Sequence, residues 1–213
     1  MAAGKFIAKG SFIVFEGIDG AGKTTQMRLL AGVLESLGLT VLCTREPGGT
    51  GIGTRLRELL LDPACRDINR RTEAFLYAAD RAQHINQIIK PALQRGDTVL
   101  CDRYLYSTLA YQGGGRGLDT DFLLRLNTLA TGGLEPDVVV LLDLPAEEGI
   151  GRVLGHGLPD RLESEKTDFF RQVRRGYLEQ AARRPGIFRV VQAGAPAGEV
   201  HRRVLTALEI KID

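Results

Sequence analysis

Cysteine and histidine are both scarce, three of each in 213 residues. Cys43, Cys65 and Cys101 lie far apart without C-x-x-C spacing, so neither a disulfide framework nor a zinc site is expected. Long apolar runs are missing as well. The longest early run, Phe12–Phe15, is far too short for a signal-peptide core or a membrane span. Nor is there an excess of one charge. The 28 basic and 26 acidic residues leave a net +2, too balanced to draw a nucleic acid or a membrane surface by bulk electrostatics. No repeat of roughly 20–50 residues appears, which excludes solenoids and propellers. These absences predict a soluble, cytoplasmic protein of a reducing compartment. The chain is slightly longer than the ~100–200 residues of one domain, and it is read as a single domain spanning 1–213 with a small appendage.

What is present is alternation. Short apolar or β-branched runs at Ser11–Glu16, Thr40–Thr44, Thr98–Cys101, Val138–Leu142 and Phe188–Gln192 read as strands. Each is apolar nearly throughout, as a strand covered on both faces is. Between them run helical patterns at Lys23–Leu37, Gly53–Leu61, Arg71–Arg95, Asp119–Thr131, Lys166–Arg184 and Gly198–Glu209. Gly38 and Gly96 follow two of these patterns, where terminating glycines belong, and Pro91 is expected to bend or interrupt the longest. The pattern predicts βαβ units around a parallel sheet, an α/β fold. Two segments fit neither period. Gly113–Gly117 reads as a flexible loop. Residues 151–163, with Arg152, His156 and Arg161 among glycines, read as a lid.

The strongest chemical signal is Gly17-Ile18-Asp19-Gly20-Ala21-Gly22-Lys23-Thr24, a G-x-x-x-x-G-K-[ST] sequence between an expected strand and an expected helix. Its backbone N–H groups and the following helix N-terminus suit phosphate oxygens. Lys23 is expected on the β- and γ-phosphates, and the Thr24 hydroxyl on Mg²⁺. A Ras-like GTPase is disfavoured, because N-K-x-D is missing. The strand Thr98–Cys101 leads into Asp102-Arg103. Asp102 suits the carboxylate near the metal, directly or through water. Asp143 is the weaker alternative. A water-activating ATPase usually has glutamate beside that aspartate. Here Arg103 stands instead, and it suits the phosphate of a fixed acceptor. Asp19, a carboxylate inside a phosphate loop, needs a separate duty such as accepting from a sugar hydroxyl.

The set Gly17–Thr25 (GIDGAGKTT), Thr44–Thr50 (TREPGGT), Asp102-Arg103-Tyr104 and Ala110–Gly117 (AYQGGGRG), continued by Asp160–Glu163 (DRLE), resembles bacterial thymidylate kinases. The resemblance implies a P-loop nucleoside monophosphate kinase-like three-layer fold, with a five-stranded parallel sheet flanked by helices and a mobile lid. It implies transfer of the γ-phosphoryl of MgATP to dTMP, and a homodimer. It places Tyr77 on the base face and Arg81 on a base carbonyl, with Thr108 and Gln112 near the base edge. Tyr111 would crowd the sugar 2′ position and Asp19 would stand near the 3′-hydroxyl. Arg57 and Arg103 would meet phosphate, and Glu46-Pro47 would line the acceptor pocket. Some relatives carry an arginine directly after the loop aspartate, where this chain has Gly20. The resemblance then implies a lid arginine on the donor phosphates, Arg161 first and Arg152 second. His84 and His201 are read as ordinary helix residues.

Overall fold

A computed structural model describes residues 7, 9–154, 160–163 and 165–210. Five strands form one parallel sheet in the order β2-β3-β1-β4-β5. They are β1 (Phe12–Glu16), β2 (Val41–Arg45), β3 (Thr98–Asp102), β4 (Val138–Asp143) and β5 (Phe188–Gln192), each within one residue of its sequence expectation. The expectation of burial on both faces holds for β1 and β4, which are buried throughout, but not for the edges. β2 and β5 alternate between covered and exposed positions, because an edge strand has a neighbour on one side only.

Helices α1 (Lys23–Ser36), α2 (Gly51–Leu61), α6 (Thr120–Thr131), α8 (Thr167–Arg183) and α9 (Ala197–Ala207) follow the expected patterns. The Thr50 hydroxyl accepts from the Gly53 N–H at 2.9 Å and starts α2 two residues earlier than periodicity alone suggests. α2 packs on α3 (Arg70–His84), α3 packs on α6, and α1 packs on α9.

The long expected helix Arg71–Arg95 is divided. α3 ends at His84, a π-helical turn spans Ile85–Ile89, and α4 (Lys90–Gln94) carries Pro91. Proline has no N–H for the preceding turn and its ring needs room, and the wider turn supplies that room. The sequence also concealed two helices, α5 (Leu105–Thr108) and α7 (Ala146–Leu154).

Gly113–Gly117 is not the expected flexible loop. Leu109–Gly115 is a π-helical turn packed against α8. A Cβ on Gly114 would lie 2.9 Å from the Gln172 carbonyl, and one on Gly115 would lie 2.5 Å from the Phe169 ring. These glycines serve close packing, which a single sequence does not distinguish from looseness.

Candidate active site

The residues expected to carry chemistry lie at the carboxyl ends of the strands, where open parallel sheets bind ligands. Phe15 of β1 and Arg45 of β2 are both level with Asp102 of β3. The ladder runs one residue beyond the strands: the Arg103 N–H donates to Phe15 O and the Glu46 N–H to Asp102 O, both at 2.9 Å. Arg103 and Glu46 are therefore set by the sheet itself.

On the donor side, Gly22 starts α1 with a left-handed backbone, and Lys23 is 7% exposed. Its ammonium donates to the carbonyls of Gly17 (3.1 Å) and Ile18 (2.9 Å). Burial and the nearby Arg103 cation pull its pKa down. The Thr24 hydroxyl donates to Asp102 Oδ2 at 2.7 Å, so the two expected metal-side oxygens are adjacent. Asp143, the alternative carboxylate, is occupied by Arg174 (2.7 and 3.0 Å) and Gln192 (3.0 Å). A cleft of about 1080 Å³ runs over Asp19–Met27, Asp102, Arg103 and Arg152 to Ala193, Ala197 and Val200.

The absence of an arginine at position 20 has a physical reason. A Cβ on Gly20 would overlap the Gly149 carbonyl of α7. Arg152, one turn further along α7, donates to Gly20 O and Ala193 O at 3.2 Å and lines the cleft. Arg161, the first choice for the donor phosphates, stands elsewhere. It is buried, with Nε on Leu60 O (2.7 Å) and Nη2 on Glu73 (2.6 Å). Only a buried carboxylate compensates a buried guanidinium here, and Glu73 is that carboxylate. Of the expected lid, Gly151–Leu154 end α7, Asp160 and Leu162 border the acceptor side, and Glu163 lines the donor cleft. Residues 155–159, with His156, lie outside the described residues.

Arg103 joins the two sides. It has a positive φ of 71°, uncommon for a side-chain-bearing residue, which turns it back toward the phosphate loop. Its guanidinium pairs with Asp19 and donates to Gly17 O (2.9 Å), Tyr111 (3.1 Å) and Tyr177 (3.1 Å). Asp19 also accepts from Tyr111 at 2.7 Å. Burial alone would raise the Asp19 carboxyl, but Arg103 and Lys23 hold it at about 2. Glu16, which ends β1, is fully buried and accepts from Tyr104 N (2.9 Å), Ser107 N (3.1 Å), Ser107 Oγ (2.6 Å) and Tyr177 (2.9 Å). It braces the turn that carries Arg103. A carboxylate inside a wholly buried strand was the sequence signal for such a role.

The acceptor recess is lined by Asp19, Glu46, Pro47, Arg57, Tyr77, Arg81, Arg103, Thr108, Tyr111 and Gln112, all of them expected substrate residues, with Leu61, Ser107, Asp160 and Leu162 besides. Arg81 is 2% exposed and is no surface charge. It donates to Glu46 (2.8 Å), Thr108 (3.0 Å), Asn127 (2.7 Å) and Tyr104 O (3.1 Å). Arg57 Nη1 donates to Pro47 O at 3.1 Å. Arg45, not singled out from sequence, stands near Arg57 on the donor cleft.

His84 is not an ordinary helix residue. It is fully buried, with Nδ1 3.0 Å from Glu46 Oε1 and Nε2 2.6 Å from the Thr44 hydroxyl. A Cβ on Gly49 would lie 2.5 Å from its ring, and Asp80 accepts from Gly48 N at 3.1 Å. Asp80, Arg81 and His84 of α3 thus seat the TREPGGT segment. His201 is half-buried on α9, and burial lowers its pKa.

The parallel order β2-β3-β1-β4-β5, the phosphate loop after β1 and the Asp102-Arg103 pair after β3 define an α/β P-loop phosphotransferase of the nucleoside monophosphate kinase-like class. The thymidylate kinase family model matches residues 15–204. The chain is 50% identical over 206 residues to thymidylate kinase from Pelotomaculum thermopropionicum, covering 96% of this chain and 95% of that protein. It is 54% identical over 190 residues to thymidylate kinase from Desulforudis audaxviator, covering 89% and 86% respectively. The crystal structure of thymidylate kinase from Ehrlichia chaffeensis superposes with a TM-score of 0.77 at 32% identity, covering 93% of this chain and 98% of that one. The chain belongs to the thymidylate kinase family.

Proposed function

We propose that this phosphotransferase moves the γ-phosphoryl group of ATP to dTMP, giving dTDP and ADP, with the two compartments dividing the work. One observation carries the reading: Arg103, paired to Asp19, lines both the phosphate-loop cleft and the aromatic, arginine-bearing recess. The recess suits a nucleotide base, with Tyr77 as a stacking face and Arg81, Thr108 and Gln112 along an edge. Asp19 and Tyr111 stand where a sugar would bridge to phosphate.

The nucleophile is a phosphate oxygen of dTMP, already largely dianionic at neutral pH because its second pKa is about 6. It needs no strong general base. The oxygen bonds to the γ-phosphorus while the bond to the bridging oxygen breaks, and ADP leaves. Bringing two anions together in line is the harder task. Lys23 and Arg152 neutralise the donor side, and Arg103 and Arg57 the acceptor side. The adjacent Thr24 hydroxyl and Asp102 carboxylate are hard oxygen ligands that suit Mg²⁺ bound mainly through phosphate and water. Mg²⁺ would supply charge neutralisation across the donor phosphates.

Residues 151–154 and 160–163 flank the two compartments as a closing segment would in this reading, since Arg152 reaches the donor cleft and Asp160 and Leu162 reach the acceptor recess. A homodimer is supported by exposed apolar side chains on the adjoining helices α2, α3 and α6: Ile52, Leu59, Phe75, Leu124 and Leu129. No helix among the described residues is long and apolar enough to cross a membrane. Three free thiols accord with a cytoplasmic enzyme.

The test is coupled ADP release with MgATP and a panel of dTMP, dUMP, dCMP, UMP, AMP and GMP. A dTMP-selective signal is expected. A signal only with another monophosphate overturns the base-pocket assignment. Release independent of acceptor overturns the transfer reading itself.

A further inference from the structure

Glu73, in the first turn of α3, does not line the acceptor recess, yet it decides what one wall of the recess presents. It is 1% exposed. Its Oε1 accepts from Gln112 Nε2 at 2.9 Å and Arg116 Nε at 3.3 Å. Its Oε2 accepts from Arg161 Nη2 at 2.6 Å and Arg116 Nη2 at 3.3 Å. All four partners are N–H donors. A protonated carboxyl would aim its O–H at one of them, so the group is ionised and only accepts. Burial alone would raise its pKa, but these donors bring it below the ordinary value.

An acceptor-only partner fixes the Gln112 amide. Its NH₂ must face Glu73, which leaves Oε1 for the recess, and no described group donates to that oxygen. Arg81 stands on the same wall. Of its guanidinium N–H groups, Nε serves Glu46, Nη1 serves Thr108 and Asn127, and one on Nη2 serves Tyr104 O. A guanidinium has five N–H groups, so one on Nη2 remains without a partner among the described residues. The wall therefore offers one fixed donor and one fixed acceptor.

A 4-oxo pyrimidine presents a carbonyl and a ring N3–H, which match that pair. A 4-amino pyrimidine presents an N–H and a bare ring nitrogen, which oppose it. We propose that Glu73 is a specificity-determining positioning residue: by locking the Gln112 amide, it makes the recess select a 4-oxo pyrimidine monophosphate over the 4-amino analogue. This rests on reading the recess as the acceptor-base pocket.

The experiment measures kcat/KM for dTMP and dCMP in the wild type, Glu73→Gln and Arg116→Met. A glutamine at 73 accepts or donates, so the Gln112 amide is free to turn. The dTMP-to-dCMP ratio is expected to fall by ~10-fold or more in Glu73→Gln, the scale at which a mismatched polar site discriminates. Arg116→Met removes another partner of Glu73 and keeps the lock, so its ratio stays at the wild-type value. Each ratio is taken within one enzyme, so a general loss of stability does not move it. If Glu73→Gln fails to unfold cooperatively, Glu73→Asp takes its place. Its carboxylate is withdrawn from Gln112 by one methylene but keeps its charge, and the same fall is expected. An unchanged ratio in a folded variant overturns the proposal, as does an equal fall in Arg116→Met. A wild type that does not prefer dTMP overturns the pocket reading instead.

Discussion

Lys23 holds the carbonyls of Gly17 and Ile18, contacts that phosphate oxygens would take over. Lys23→Ala is expected to lower kcat by more than ~100-fold while the fold survives, the scale of losing one preorganised charge on a developing anion. Near-normal turnover in a folded variant would remove Lys23 from the mechanism. Arg152 and Arg161 separate in the same assay. Arg152 touches the phosphate loop, whereas Arg161 neutralises Glu73. Arg152→Ala is expected to lower kcat, and Arg161→Ala to lower thermal stability more than kcat, since breaking a buried pair costs about 3–5 kcal/mol. The reverse ordering would mean that Arg161 leaves Glu73 during turnover. Lys23, Thr24 and Asp102 were legible as candidates because a contiguous motif and a strand end set their positions. Glu73, His84 and Asn127 were not. Each acts through a partner far along the chain, and an isolated charged or polar residue reads as surface.

At the scale of elements, the π-helical turn Leu109–Gly115 carries both Tyr111 and Gln112 into the acceptor recess. Its glycines let that backbone lie against α8. Gly114→Ala would press a methyl group on the Gln172 carbonyl, which belongs to a helix and yields little. A loss of about 1–3 kcal/mol is expected from such overpacking, together with a raised KM for dTMP and a nearly unchanged KM for ATP. Chemical denaturation and steady-state kinetics check this. Unchanged stability would show that the turn is loose. The strands and most helices were legible from periodicity. This turn was not, because consecutive glycines carry no pattern and their neighbour, α8, lies over 50 residues further on.

Two carboxylates contribute to the pH response of the molecule in opposite directions. Asp19 is held at about 2, so its contribution is full above the ordinary aspartate range and is lost as pH falls through about 2. Asp80 goes the other way. Burial, with Glu46 nearby, pushes it up to about 6, and its Oδ2 has no hydrogen-bond partner among the described residues. Stability linked to Asp80 is full below its ordinary value of 3.8 and is lost as pH rises through about 6. Relative to Asp80→Asn, the wild type is expected to lose on the order of 1–3 kcal/mol between acid and neutral pH. Parallel melting curves would contradict the assignment. Assembly is tested at the same scale. Phe75 is 53% exposed and packs edge-on to Phe122 at 5.8 Å. If the chain forms the proposed homodimer through this face, Phe75→Glu is expected to shift its sedimentation coefficient toward that of a monomer. An unchanged coefficient would overturn the proposed role of this face in assembly.

The amino-acid sequence alone determined the class of this protein. A phosphate loop is local: glycines, a lysine and a threonine at fixed spacing specify a strand–loop–helix whose N–H groups converge on an anion. The apolar strands specified a parallel sheet, and the sheet put the loop and Asp102-Arg103 at the carboxyl ends of adjacent strands. Tertiary structure decided which arginine lines the phosphate-loop cleft and which pairs with a buried carboxylate, why Gly20 carries no side chain, and which way the Gln112 amide points. The physical reason is common to all three. A buried charge or dipole is fixed by whichever group compensates it, and that group comes from a distant element, which only the packed chain brings near.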